Sequence, residues 1–178
     1  MASFISAGHH LKDSGAVGSG TQENLETIKF RDDVLSIVRL KGLTVISDSD
    51  NETLKEYLDR IKTGSGSTVV EFHFDASNGK ATGTTAIVGT DADRLDKAFA
   101  KELVDVTAKV LGIKNRGVIS EAQSHRGKLG LMREQGIVSL LELCFIDNPL
   151  DMATYNMNKH TLAYSIAEII IKYDKMIS

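Results

Sequence analysis

The chain has 178 residues, of which 42 % are hydrophobic, a size and composition that suit one domain with a proper core. Its formal net charge of −3 and its pI near 5.9 offer no basic field for nucleic acid or an anionic membrane surface. Cys144 is the only cysteine, so an internal disulfide is excluded, and no run reaches the roughly 18 apolar residues of a membrane helix. We therefore expect one soluble domain over residues 1–178, with neither nucleic acid nor a membrane as its partner.

Along the chain, short apolar strands alternate with helical patterns, which predicts an α/β fold with a largely parallel sheet. The segment 8–21 is rich in glycine and is predicted to be a loop, and there is no internal repeat and no linker. The predicted strands are 3–7, 43–46, 68–74, 84–88, 118–119, 129–132 and 137–146, and the predicted helices are 21–41, 53–62, 91–111 and 164–176.

The last predicted strand carries one carboxylate, Glu142, in an otherwise apolar run bounded by Gly136 and Asn148-Pro149. Such a run is typical of a strand covered on both faces, where an ionised carboxylate needs a partner. Glu142 is therefore either neutralised, or it faces a cation or a reacting proton. The plainer alternative is a carboxylate at the exposed end of the strand, or one paired with a basic residue upstream.

Residues that can bind a metal lie at the ends of two of the predicted strands and at the start of one helix. His9 and His10 come directly after the first strand, Glu23 begins the first long helix, and His73 lies near the end of the strand at 68–74. In sheets of this class functional residues gather at the carboxyl edge. Taken singly, each histidine could be a packed residue and Glu23 could serve the helix dipole. Together they offer two imidazoles and a carboxylate, the ligand set of a catalytic zinc site with an open fourth position.

Motif-bearing segments follow one another over nearly the whole chain: Ser6 to His10 with Asp13 to Ala16, then Glu23, then Val70 to Ala76, and finally Leu140 to Pro149. In this order they resemble the zinc-dependent N-acetylmuramoyl-L-alanine amidases of the type-3 family. The resemblance implies an open, twisted sheet flanked by helices, and an enzyme that acts on peptidoglycan or a muropeptide.

The same resemblance implies zinc as the cofactor, with His9, Glu23 and His73 as its ligands and Glu142 as the catalytic carboxylate. Zinc in an open site lowers the pKa of its water to roughly 7 and polarises a carbonyl. Glu142 would then take a proton from that water and pass it to the leaving amine. The bond cut would be the amide between the lactyl group of N-acetylmuramic acid and L-alanine.

Two positions depart from the family pattern. His10 stands where a glycine is usual, and the usual His-x-Asn appears as His73-Phe74-Asp75. Neither change removes a ligand, although Asp75 would place a second anion near the metal and raise the pKa of its water. Arg126 and Arg133 flank predicted strands ahead of Glu142; a solvated face is their default role, and contact with the carboxylates of the substrate peptide is the functional one.

Two other classes of protein stay open at this stage. One is a different zinc peptidase or deacylase on a related scaffold, because fold and ligands do not name a substrate. The other is a cell-wall-binding module without catalytic activity. The start of the chain lacks the basic and apolar segments of a signal peptide. We therefore expect either a phage or prophage lysin that stays in the cytoplasm until lysis, or a trimmed exported domain.

Overall fold

A six-stranded sheet forms the centre of the computed structural model, which describes residues 2–124 and 126–177. The strands of the chain are β1 (Ser3–Ala7), β2 (Val17–Gly18), β3 (Thr21–Gln22), β4 (Val45–Ser47), β5 (Thr68–Asp75), β6 (Thr84–Val88), β7 (Asn115–Ser120) and β8 (Ile137–Phe145). The order in the sheet is β4-β1-β5-β8-β6-β7, and four of the five pairings are parallel, as the sequence predicts; only β6 and β8 pair antiparallel. The strands β2 and β3 form a separate small hairpin at the end of the predicted loop after β1.

Four helices flank the sheet and cover its two faces unequally. They are α1 (Glu23–Leu40), α2 (Leu54–Arg60), α3 (Arg94–Leu111) and α4 (Pro149–Ile177). Helices α1, α3 and α4 pack over one face, where they build the larger apolar core. The other face carries a smaller cluster, to which α2 contributes Tyr57 and the short 3-10 helix Gly130–Arg133 contributes Leu131. None of the helices within the described ranges combines the length and the apolar character that crossing a membrane requires.

The face with the smaller apolar cluster, called the thinner face below, changes from apolar to polar along each central strand. On β5, Val69 belongs to the smaller apolar cluster, and on β8 Leu140 does. Because side chains alternate along a strand, Glu71 and His73 follow Val69 on this face, and Glu142 follows Leu140. His73 and Glu142 are direct neighbours in the β5–β8 register. The apolar half of this face therefore packs the strands against the core, and the polar half carries the residues that could bind a metal or transfer a proton.

Two sequence predictions are wrong in this region of the chain. Residues 129–132 are not a strand: Gly130–Arg133 is a 3-10 helix whose Leu131 and Met132 are buried against the thinner face. A four-residue apolar run does not distinguish these two possibilities. The last helix also begins at Pro149 rather than at residue 164. The Asn148 side chain accepts from the backbone N–H of Leu150 at 2.9 Å, so the Asn-Pro pair is a helix start that the sequence analysis missed.

Candidate metal centre

His9, Glu23 and His73 lie together at the carboxyl ends of β1 and β5. His73 Nδ1 lies 2.8 Å from Glu23 Oε1, and His9 Nε2 lies 3.1 Å from Glu23 Oε2. The two imidazole rings meet edge to face, with their centroids 5.3 Å apart. One potential ligand atom from each residue lies within 4.8 Å of the others. Around a tetrahedral zinc, bonds of roughly 2.0–2.2 Å place the ligand atoms about 3.4 Å apart. Two nitrogens and one oxygen are therefore gathered so that a modest contraction would bring them onto one metal ion.

Two glycines make room for this cluster. A Cβ on Gly8 would lie 2.4 Å from His73 Cε1, and one on Gly15 would lie 2.6 Å from Glu23 Oε2. Gly15 also has φ +61°, a conformation that glycine adopts without strain. His9 itself has φ +67°, which is uncommon for a residue with a side chain. The loop after β1 is therefore shaped around the three side chains, at some cost in backbone strain.

Each imidazole faces a second carboxylate through its other nitrogen. His9 Nδ1 lies 2.8 Å from Asp13 Oδ2, and His73 Nε2 lies 3.0 Å from Glu71 Oε1. Glu71 is buried and also accepts from Ser6 Oγ at 3.1 Å. A carboxylate on the far nitrogen selects the histidine tautomer and increases ligand basicity. His9 would therefore bind through Nε2 and His73 through Nδ1. The role of Glu71 was missed, although its place two residues before His73 put it on the same face of β5.

The charges of the cluster are strongly coupled. Burial lowers the pKa of His73, but hydrogen bonds to Glu23 and Glu71 outweigh it and raise that pKa to about 10. Burial raises the pKa of Glu23, yet the two imidazoles hold it well below its usual range. The pKa of His9 is also raised, because Glu23 and Asp13 outweigh its partial burial. Without a metal, the ionised Glu23 carboxylate therefore favours the protonated forms of His73 and His9.

Glu142 lies beside this cluster and is only 2 % exposed. Burial raises its pKa to about 7, against the opposing charges of His73 and Arg126. Arg126 reaches it with Nη2 at 2.8 Å from Oε1. The other oxygen, Oε2, is buried and has no hydrogen-bond partner in the described part of the chain. A carboxyl group of this pKa, with one oxygen unengaged, can both accept and donate a proton near neutral pH.

The remaining predicted site residues have different surroundings. Asp75 lies at the end of β5, and its charge contributes to the raised pKa of Glu142. His10 is not part of the three-residue cluster; its Nδ1 accepts from the Lys12 N–H at 3.4 Å. Arg133 does not reach Glu142 and pairs instead with Glu121 at 2.8 Å. The 3-10 helix that replaces the predicted strand turns Arg133 to that carboxylate.

Comparisons with known proteins identify the family of this chain. Residues 4–172 match the family described as N-acetylmuramoyl-L-alanine amidase. A similar solved structure is described as such an amidase from Neisseria meningitidis, with 27 % identity, a TM-score of 0.78, and 96 % of this chain and 94 % of that one covered.

Two more distant structures share the fold. The catalytic domain of the amidase CwlV from Paenibacillus polymyxa has 23 % identity and a TM-score of 0.78, with 100 % of both chains covered. The catalytic domain of the CD27L endolysin, which targets Clostridia difficile, has 19 % identity and a TM-score of 0.73, with 97 % of each chain covered. The search of curated proteins found no match. Since the family match spans nearly the whole chain, the protein belongs to the N-acetylmuramoyl-L-alanine amidase family.

Proposed function

We propose that this peptidoglycan amidase works through one zinc ion held by His9, Glu23 and His73, with Glu142 as its acid–base residue. The observation that carries the proposal is the juxtaposition of two imidazoles and a carboxylate within 4.8 Å beside a buried carboxyl group. Asp13 and Glu71 support it further, because carboxylates behind metal-binding histidines are the usual outer partners of such ligands.

A zinc ion bound there would supply Lewis-acid activation of the attacking water and of the scissile carbonyl. Glu142 takes one proton from the water as its oxygen attacks the lactyl carbonyl carbon. When the carbon–nitrogen bond breaks, Glu142 returns that proton to the departing nitrogen. The products are a muramoyl carboxylate and a stem peptide with a free α-amino group on L-alanine. The pKa of about 7 at Glu142 suits a group that must act in both directions.

One of the alternatives, a module that only binds the cell wall, is disfavoured by the site itself. A module that only binds the cell wall has no use for a buried carboxyl group with one unpaired oxygen beside three potential ligands. A zinc peptidase of another specificity would use the same ligands but free a different amino group. The position of the new amino group is therefore the measurement that separates the amidase from its alternatives.

The test is to incubate the protein with purified peptidoglycan and to identify the new chain ends by chemical labelling and mass spectrometry. New N-terminal L-alanine, with no new reducing sugars, is the expected result. Bound metal is measured in parallel by atomic absorption, with about one zinc per chain expected. The matched variant is His73→Ala, which should lose the zinc and the activity while its far-ultraviolet circular dichroism stays unchanged. Amino groups freed only from later stem residues, or stoichiometric zinc in His73→Ala, would overturn the proposal.

A further inference from the structure

Two cavities flank the metal cluster on the thinner face of the sheet, and they differ in the balance of charge that lines them. One, of about 330 Å³, lies beside α2 and is lined by His9, His73 and four carboxylates; we call it the acidic cavity. The other, of about 440 Å³, lies beside β6 and β7 and contains Glu142 together with three cationic side chains; we call it the basic cavity. The carboxylates of the acidic cavity are Asp13, Asp48, Glu52 and Glu71, and the cations of the basic cavity are Lys114, Arg116 and Arg126. Each cavity also has a residue of the other sign, Lys55 in the acidic cavity and Asp75 beside Glu142 in the basic one.

Two of these cations are not neutralised by the protein. Arg116 lies over the ring of Phe145 at 5.2 Å and donates to the Thr82 carbonyl at 3.4 Å, an arrangement that holds the guanidinium without cancelling its charge. Across residues 2–124 and 126–177, neither Arg116 nor Lys114 forms an ion pair with a carboxylate. Arg126, by contrast, is engaged by Glu142. Two uncompensated positive charges thus line the same cavity as Glu142.

The two sides of the scissile amide differ in charge in the same way. The muramoyl sugar carries no free carboxylate, because its lactyl carboxyl group is consumed in the amide. The stem peptide carries free carboxylates beyond L-alanine. The carboxylates of the acidic cavity are each paired within the protein, so they offer acceptors to sugar hydroxyls but no attraction to a peptide carboxylate. Unpaired guanidinium and ammonium groups attract such a carboxylate.

The position of Glu142 indicates the same orientation independently of charge. The proposed mechanism requires Glu142 to protonate the departing nitrogen, and that nitrogen belongs to the peptide. Glu142 lines the basic cavity and not the acidic one. The leaving peptide must therefore extend from the cluster into the cavity that contains its proton donor.

We infer that the stem peptide lies in the basic cavity, where Lys114 and Arg116 bind its carboxylates, and that the muramoyl sugar lies in the acidic cavity. Lys114 and Arg116 are specificity-determining residues in this arrangement rather than catalytic ones. The peptide carboxylate nearest to the scissile bond is that of the second stem residue, since only L-alanine separates that residue from the bond.

The experiment uses two soluble muropeptides that differ only in the second stem residue, which carries either a free α-carboxylate or a carboxamide. Arg116→Gln and Lys114→Gln should each raise KM for the carboxylate substrate about tenfold and change kcat less than twofold, because a charged hydrogen bond is lost away from the reacting atoms. The same variants should leave KM for the carboxamide substrate nearly unchanged. The matched control is Arg39→Gln, an exposed position on α1 outside both cavities.

Because this orientation rests on the proposed function, the unaltered protein is assayed first on both substrates. Failure to release N-terminal alanine would overturn the proposed function and the orientation with it. Cleavage by the unaltered protein, with KM unchanged in both variants or raised equally for both substrates, would overturn the orientation alone. An effect confined to the carboxylate substrate supports it.

Discussion

The imidazole of His73 meets the Glu71 carboxylate through Nε2 at 3.0 Å, and both residues are buried on the same face of β5. Since Nδ1 faces Glu23, both ring nitrogens are occupied and the ring cannot rotate without losing one carboxylate contact. Glu71 therefore determines which nitrogen of His73 is available to a metal, although it is not itself a ligand.

The first prediction concerns this partner. Glu71→Ala should weaken zinc binding by about 10–100-fold, because the ring loses the acceptor that orients it and increases its basicity. Glu71→Gln, which keeps an acceptor oxygen, should weaken it less. Competition with a fluorescent chelator measures the affinities. Glu52→Gln is the control, since Glu52 lines the same cavity but pairs with Arg60. An unchanged affinity in Glu71→Ala would show that Glu71 only fills space.

The second prediction separates the acid–base group from the ligands. Glu142→Gln should keep zinc and fold but lose about 10²–10⁴-fold in kcat, because an amide cannot take the proton of the attacking water. Turnover on a soluble muropeptide and metal content are measured on the same sample. A kcat near that of the unaltered protein would mean that Glu142 has a structural role alone.

The third prediction concerns Asp75, the departure from the family pattern. The Asp75 charge raises the pKa of Glu142, so Asp75→Asn should lower that pKa. A general base must be ionised, and a lower pKa keeps Glu142 ionised in more acidic solution. The acidic limb of the kcat/KM profile should consequently move to lower pH. Asp59→Asn, an exposed change on α2, should leave the limb in place. An identical shift in both variants would contradict a local effect of Asp75.

The fourth prediction is a stability profile of the metal-free protein. The pKa of His73 is raised to about 10 in the fold, above the ordinary value of about 6.5. A raised pKa stabilises the fold fully below the unfolded value, and this stabilisation is lost as pH rises through the folded value. In the presence of a chelator, the free energy of unfolding should therefore fall between about pH 6.5 and 10.

Urea unfolding at several pH values measures this decline. His73→Ala should flatten the profile over the same window, because the titrating group is gone. The zinc-loaded protein should also show a flatter profile, since the metal takes the place of the proton on His73. A chelated protein whose stability is constant from pH 6.5 to 10 would contradict the coupling between His73 and its two carboxylates.

The helices and strands that could be predicted from sequence are those with a regular spacing of apolar residues and with a residue that ends the element. The strand Thr84–Val88 has the predicted bounds, and α1 and α3 end at or within one residue of prediction, since Gly112 stops α3 in the left-handed conformation. Residues 149–163 lack a strong apolar stripe, so the first half of α4 was missed and only its cap residue could have indicated it.

Some features of the site could be predicted from sequence, and others could not. The ligand candidates could be placed together because β1 and β5 run parallel and end at one edge. The partner of a given arginine could not be predicted, because it depends on how the segment 121–136 folds back over the sheet. That segment contains two 3-10 helices, which direct Arg133 to Glu121 and leave Arg126 to reach Glu142.

The antiparallel direction of β6 relative to β8 allows one loop near the metal cluster to vary without changing the strands that carry the ligands. Because β6 and β7 run against β8, the turn that enters β7 arrives at the edge where the ligand-bearing strands finish. Lys114 and Arg116 belong to this entry, and Gly112 lets the chain leave α3 just before it. In the sheet, β6 and β8 separate β7 from β5 and β1, so changes in the length of this turn should disturb neither ligand-bearing strand. We therefore expect relatives that prefer other stem peptides to differ here first, and grafting the turn to transfer the preference with it.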